Sequence, residues 1–322
     1  MLIMYDAHGR SLVKRGDHSD STNVVWIDLI SPTKEEERQV EALLALNIPT
    51  REEMFEIEIS SRLYQEKGVH FMTPTVMYQV DSPEPQMAPI TFMLTDNKLV
   101  TLRYSEPKAF PLFLSRAGQG DLDCSSATGV MLGLMEAIID REVDLIERLQ
   151  ADTEKVARTV FDNKGGASSR SRRYDVLLKQ IGRSSLIASR ARESLLSLGR
   201  TLAYIKEVAA TRNETEFVRR RIDTEAHDVV SLTDHLGYVN TRLNFMLDAT
   251  IGMVSIEQNQ IIKLFSVAAV MLMPPTLIAS IYGMNFKHIP ELDWHWGYPM
   301  ALTAMVLSAV LPYLFFRARG WL

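Results

Sequence analysis

The sequence predicts an α+β domain of α/β/α type, then a long stalk helix and two C-terminal transmembrane helices. Three observations lead there. Strand-length apolar runs separated by turn residues fill the chain to about residue 124, an unbroken helical period starts near residue 214, and two long uncharged stretches stand near the C-terminal end. No charged side chain occurs from Leu264 to Phe286, and none from Gly297 to Phe316. At about 1.5 Å rise per residue, each run can cross a hydrocarbon core about 30 Å thick.

The chain has 322 residues, 23% charged and 46% hydrophobic, with net charge −5. About 260 residues therefore precede the first span, enough for one or two domains. The mild acidity speaks against a nucleic-acid partner, which calls for a basic patch. The single cysteine, Cys124, cannot form an internal disulfide, in keeping with a reducing compartment. The start, Met1 to His8, lacks the apolar core of a signal peptide, so the C-terminal spans are expected to drive insertion.

Residues 1–124 read as mixed α/β. Leu2–Tyr5, Ser11–Lys14 and Val24–Leu29 are strands. Ser31, Pro32 and the acids Glu35 to Glu37 then open a helix that runs to about Leu46. Thr50 caps a short helix to Ile57. Strands follow at Arg62–Glu66, Val69–Val80, Ile90–Thr95 and Leu99–Tyr104, the last two joined by a hairpin turn at Asp96-Asn97. Pro83, Pro85 and Pro89 mark a loop, and Pro107–Ala117 a short helix. No Ser-His-Asp pattern, phosphate loop or Cys/His metal spacing occurs here, and His18 and His70 read as incidental, so no enzymatic activity is expected.

Residues 125–213 read as an antiparallel helical pair. Met131, Ile138 and Leu145, with Met135, Leu149 and Val156, recur at heptad spacing and predict a helix to about Asp162. The Asn163–Ser169 stretch is a turn, and a second helix covers about Arg170 to Tyr204. The basic excess of that second helix is expected to be a solvated face that balances Glu142, Asp144 and Glu147.

The third helix starts near Glu214 and shows no stop signal before the membrane, giving a stalk (214–263) continuous with the first span (264–286). Val229, Leu232, Leu236, Val239, Leu243, Met246, Thr250 and Met253 alternate steps of three and four and form a largely apolar face. Roughly opposite runs a second row: Asp248, Ser255, Asn259, Ser266, Met273 and Leu277. A lone helix of this length needs partners, so oligomeric packing is expected.

A connector (287–296), the second span (297–316) and a basic tail (317–322) complete the chain. The connector sets Glu291 and Asp293 against Lys287, while Lys263, Arg317 and Arg319 flank the other ends of the spans. The positive-inside rule then puts both termini in the cytosol and the connector outside. Trp294, Trp296, Tyr298 and Trp321 stand where interfacial aromatics belong.

Tyr282-Gly283-Met284-Asn285-Phe286, followed by Pro290-Glu291-Leu292, Trp294 and Gly297-Tyr298-Pro299, resembles the CorA family of magnesium and cobalt transporters. At motif level the resemblance covers about Asn240 to Leu322. It implies a homopentamer in the inner membrane whose first span lines a pore for Mg²⁺, with Co²⁺ and Ni²⁺ as possible further substrates. Gly283, Met284 and Asn285 would be its selectivity motif. Asn259, Thr276 and Ser280 would form further polar rings, and Met273 an apolar constriction; Phe265 would be a hydrophobic gate and Glu291 would attract cations at the outer mouth. The resemblance also implies closure by cytosolic Mg²⁺ bridging neighbouring subunits. Asp248 falls at the stalk position of that site and Glu56 is the nearest match for its partner, where the family usually has Asp.

The residues fit such chemistry. Mg²⁺ dehydrates reluctantly and favours hard oxygen ligands, so a pore that holds the hydrated ion needs amide, hydroxyl and carbonyl oxygens. Neither span carries Asp or Glu, which suits weak binding and ready release and speaks against a relay of intramembrane acids. The last carbonyls of the first span lie at the negative end of the helix dipole, and Gly283 and Asn285 tolerate the non-helical geometry that would aim them at an ion. Two other readings remain at this point: a zinc transporter of the same superfamily, and a membrane-anchored coiled-coil scaffold or sensor.

Overall fold

The computed structural model describes the chain except for residues 17–22, 57, 121, 162–166, 286–289, 291–293 and 321–322. His18, residues 163–166 of the turn, Phe286, Lys287, Glu291, Asp293 and Trp321 therefore lie outside the described residues. The chain divides into two compact units, Met1–Phe161 with Lys179–Met246, and Asp162–Leu178 with Leu247–Leu322.

The first unit is built on one sheet. Its strands are β1 (Leu2–His8), β2 (Ser11–Lys14), β3 (Val24–Ile30), β4 (Leu63–Glu66), β5 (Val69–Met72), β6 (Thr75–Tyr78), β7 (Gln86–Leu94) and β8 (Leu99–Arg103). Their order is β2-β1-β3-β8-β7-β5-β4, with β6 also paired to β7. Only β3 and β8 run parallel among the described pairs. Those two central strands are buried along almost their whole length, as the Val/Ile/Leu runs require of strands covered on both faces.

Two expectations change here. Val69–Val80 is not one strand but two, interrupted at Thr73-Pro74, although both pieces keep a single register along β7: Met72 faces Phe92 and Thr75 faces Pro89. Pro89 is consequently inside a strand and not in a loop. It has no N–H to give, and Thr75 opposite sends its own N–H to the Ser197 hydroxyl at 2.9 Å.

Helices α1 (Lys34–Leu44) and α2 (Ile59–Arg62) lie between β3 and β4, with a 3-10 turn at Glu53–Phe55, and α3 (Ala109–Gly118) follows β8. Thr33 caps α1 in a reciprocal capping box with Glu36, whose carboxylate also holds the Met1 ammonium at 2.9 Å. The helix expected after Thr50 shrinks to the 3-10 turn, with Thr50 still accepting the Glu53 N–H. On the sheet's α3 side, Trp26 stacks on Tyr5 at 4.5 Å and meets Phe113 edge-on at 5.7 Å. Gly133 makes room for that phenyl ring, because a Cβ there would lie 2.5 Å from it. The opposite side holds Val40, Leu46, Ile48, Met54 and Phe71 against Ile27, Leu29 and Leu102.

Helices α4 (Ala127–Phe161) and α5 (Ala167–Thr211) follow the sheet. Within the first unit they run antiparallel, with Glu142 opposite Ser194. Glu142 overturns the expectation of a solvated acidic neighbour: it is 1% exposed. Helix α6 (Glu216–Tyr282) is continuous for 67 residues, about 100 Å at standard rise, and contains both Pro274 and Pro275. Helix α7 (Gly297–Ala318) is the last. The C-terminal part of α6 and all of α7 are long and apolar enough to cross a membrane, and few of their residues are buried within the chain.

Candidate functional site

The second unit carries the C-terminal part of α6, and the residues of interest lie along it. Asp248, Ser255, Asn259, Ser266, Met273 and Leu277 are all exposed in the single chain, Met273 at 68% and Leu277 at 61%. Thr250, Glu257 and Val267 of the same helix are buried. Thr250 and Glu257, roughly opposite the row, are thus packed in the stalk part, while in the span side chains off the row, such as Leu264 and Leu272, are exposed together with it. Thr276, Ser280 and Phe265 are exposed as well, Phe265 at 71%.

The helix continues through the two prolines although neither has an N–H, so the carbonyls of Val270 and Met271 lose the donors that an unbroken ladder would supply. Directly after the prolines, the Thr276 hydroxyl donates to the Leu272 carbonyl at 2.7 Å. Its oxygen lone pairs remain as acceptors on the exposed side.

Gly283 does not adopt a left-handed conformation: its N–H still donates to the Ala279 carbonyl at 3.0 Å, so helical bonding persists through it. A Cβ there would make a close contact, 3.1 Å, with that same carbonyl oxygen. The helix tightens only at Met284, whose N–H reaches back to Ile281 at 3.3 Å and not to Ser280. Asn285 follows, outside the helix and exposed. An amide side chain and under-satisfied carbonyls thus meet at the negative end of a long helix, an arrangement suited to a cation.

Trp294, Trp296 and Tyr298 are exposed at the start of α7, at 54%, 63% and 76%. At its other end Arg319 lies over the Phe315 ring at 5.3 Å. This is the pattern of an interfacial helix end, with aromatic and basic side chains flanking an apolar stretch.

The two residues expected to share a regulatory ion belong to different units. Glu56 is exposed after the 3-10 turn, its backbone carbonyl accepting from Arg62 Nε at 2.5 Å. Asp248 is exposed on α6. Among the described residues, no group of three or more His, Cys, Asp or Glu side chains is placed to hold a metal ion. Glu291 lies outside the described residues.

Sequence reasoning passed over Glu257. It is 8% exposed, and its Oε1 has no hydrogen-bond partner among the described residues. It stands one heptad after buried Thr250, and that spacing was the available signal that the acid faces inward.

The family model for the CorA-like Mg²⁺ transporter protein matches residues 21–318. The chain belongs to the CorA family. Among curated members it is similar to the magnesium transport protein CorA of Pasteurella multocida (strain Pm70), at 34% identity over 96% of each chain. It is also similar to the protein of that name from Escherichia coli (strain K12), at 33% identity over 93% of this chain and 92% of the other. Among solved structures, the complete CorA magnesium transporter of Methanocaldococcus jannaschii shares the fold over 100% of this chain and 99% of that one, with TM-score 0.78 at 17% identity. The full-length CmaX protein does so with TM-score 0.62 at 16% identity over 99% of this chain and 97% of that one. The family has an N-terminal α/β domain, a long helix and two C-terminal apolar helices, and this chain has the same sequence of parts. With its two apolar spans, the chain is a membrane protein of a transporter family.

Proposed function

We propose that the chain forms a homopentameric Mg²⁺ channel of the inner membrane, admitting the ion to the cytosol down the membrane potential. The observation that carries this reading is the Gly283-Met284-Asn285 end of α6, joined without interruption to an uncovered row of polar and flexible side chains. Repeated around an axis, the Asn285 amides and the neighbouring carbonyls would make a ring of oxygens for hydrated Mg²⁺. Such a ring holds the ion through its water shell and avoids the cost of stripping it. Asn259, Thr276 and Ser280 supply further oxygen rings, Met273 an apolar constriction, and Phe265 a hydrophobic gate. Glu291 raises the local cation concentration at the outer mouth.

Both termini lie in the cytosol in this scheme, with the α/β unit sampling cytosolic Mg²⁺. Asp248, with Glu56 of a neighbouring subunit as partner, closes the pore when the ion bridges them. Hydrated Co²⁺ and Ni²⁺ have similar charge and size and are further substrates.

The test is ion uptake into proteoliposomes of the purified full chain, with an internal fluorescent reporter. Mg²⁺ entry that depends on the protein and on an inside-negative potential supports the proposal. Entry of Zn²⁺ without Mg²⁺ would replace it with a zinc transporter, and entry of neither ion would leave an anchored scaffold.

A further inference from the structure

The first unit contains a cavity that the ion pathway does not use. Its volume is about 430 Å³, within the range of small-molecule sites, and it lies between α4 and α5 where residues 80–85 close one end. Its floor is apolar: Leu145, Leu149 and Val156 come from α4, and Ile187 from α5.

Its rim is basic. Arg148, Lys155 and Arg183 line it, against the single acid Asp152, which Lys155 already holds at 2.9 Å. Backbone carbonyls fix both guanidinium groups: Arg148 donates to Val80 at 2.7 Å and to Asp144 at 3.1 Å, and Arg183 donates to Pro83. A carbonyl orients a guanidinium but does not neutralise it. The nearest acid to Arg148, Asp81 at 3.5 Å, is shared with Lys108 and Arg141. Among the described residues, Arg183 has no carboxylate within ion-pair distance. The rim therefore presents two guanidinium groups, neither with a carboxylate to itself, and each keeps N–H donors beyond those the carbonyls take, the chemistry that suits a phosphate group.

Ser82, Gln180 and Ser184 add hydrogen-bonding side chains to the wall. A plain hydrocarbon occupant would bury them without partners, at a cost. We propose that the cavity binds a small organic phosphate of nucleoside monophosphate type. The phosphate would lie on Arg148 and Arg183, the flat ring against the Leu145, Leu149 and Val156 floor, and the polar edges of the molecule toward the wall.

The experiment is isothermal titration calorimetry of the full chain in lipid nanodiscs with AMP, adenosine and inorganic phosphate. AMP is expected to bind saturably and more tightly than either fragment. Arg183→Glu is expected to weaken AMP roughly tenfold or more, as loss of a charge-assisted pair does. Thr159→Trp, which fills the cavity from its edge, should abolish binding, and Lys206→Glu, outside the cavity, should leave it unchanged. Arg183 is at an exposed position, so that variant decides the matter if the tryptophan variant does not fold. Absence of saturable AMP binding would overturn the proposal, as would binding no tighter than that of phosphate, or binding unaffected by Arg183→Glu.

Discussion

The Glu142 carboxyl on α4 accepts a hydrogen bond of 2.5 Å from the Ser194 hydroxyl on α5, and a weaker one of 3.4 Å from the Met77 N–H. The group is buried, its Oε2 has no hydrogen-bond partner among the described residues, and desolvation pushes its pKa from 4.5 up to about 7 against the lowering effect of those two bonds. The folded chain thus binds more protons than the unfolded one between these values. Stability from this group is full at acid pH, declines as pH rises to about 7, and stays reduced above it. The upper bound is about 3 kcal/mol. Glu225, pushed up to about 8 mainly by burial, acts in the same direction despite the opposing Arg221 charge. Glu142→Gln keeps an acceptor for Ser194 and Met77 without the charge. Its thermal midpoint should fall less between pH 5 and pH 8 than that of the unmodified chain, and an equal fall would contradict the assignment.

Asp28 and Arg103 form a buried bidentate pair at 2.8 and 3.1 Å across the two parallel strands, with Thr101 donating to the same carboxylate at 2.7 Å. Removing one partner leaves a buried charge, so Asp28→Ala should destabilise the first unit by about 3–5 kcal/mol. Asp28→Leu combined with Arg103→Met should recover most of that loss. Denaturant unfolding followed by tryptophan fluorescence measures both, since Trp26 packs in the same layer. A double variant as unstable as the single one would show that the pair contributes net stability.

Asp248 is exposed on α6 in the single chain, as a residue that meets an ion between subunits would be. If the proposed gating holds, Mg²⁺ should protect the α/β unit from protease, and Asp248→Asn should reduce that protection with the digestion pattern in magnesium-free buffer unchanged. Protection equal to that of the unmodified chain would remove Asp248 from the regulatory site.

Much of this was legible in the sequence because the signals were local. Strands β3 and β8 showed themselves as strand-length runs, though not that they pair in parallel, and the reach of α6 as a helical period with no stop signal. Other features depend on tertiary contacts that no local pattern carries. Pro89 reads as a breaker until β6 is seen pairing across from it, and α2, Ile59–Arg62, is too short for any period. Glu142 looks like its solvated neighbours because its burial depends on Ser194, 52 positions away. At the candidate site the motif was visible, but the residue at which helical bonding ends was not. Gly283, just past α6, still donates to the Ala279 carbonyl, and the tighter bond to Ile281 comes one residue later, at Met284.

The central claim concerns Asn285, the exposed amide at the end of α6. The most direct measurement is Mg²⁺ uptake into proteoliposomes by the unmodified chain and by Asn285→Ala, with equal amounts of oligomer incorporated. The account predicts robust uptake by the first and loss of at least about 90% of the rate in the second, since one ring of ion-facing oxygens disappears from every subunit at once. Uptake at an unchanged rate and ion preference in Asn285→Ala would contradict the account and move selectivity elsewhere along the helix.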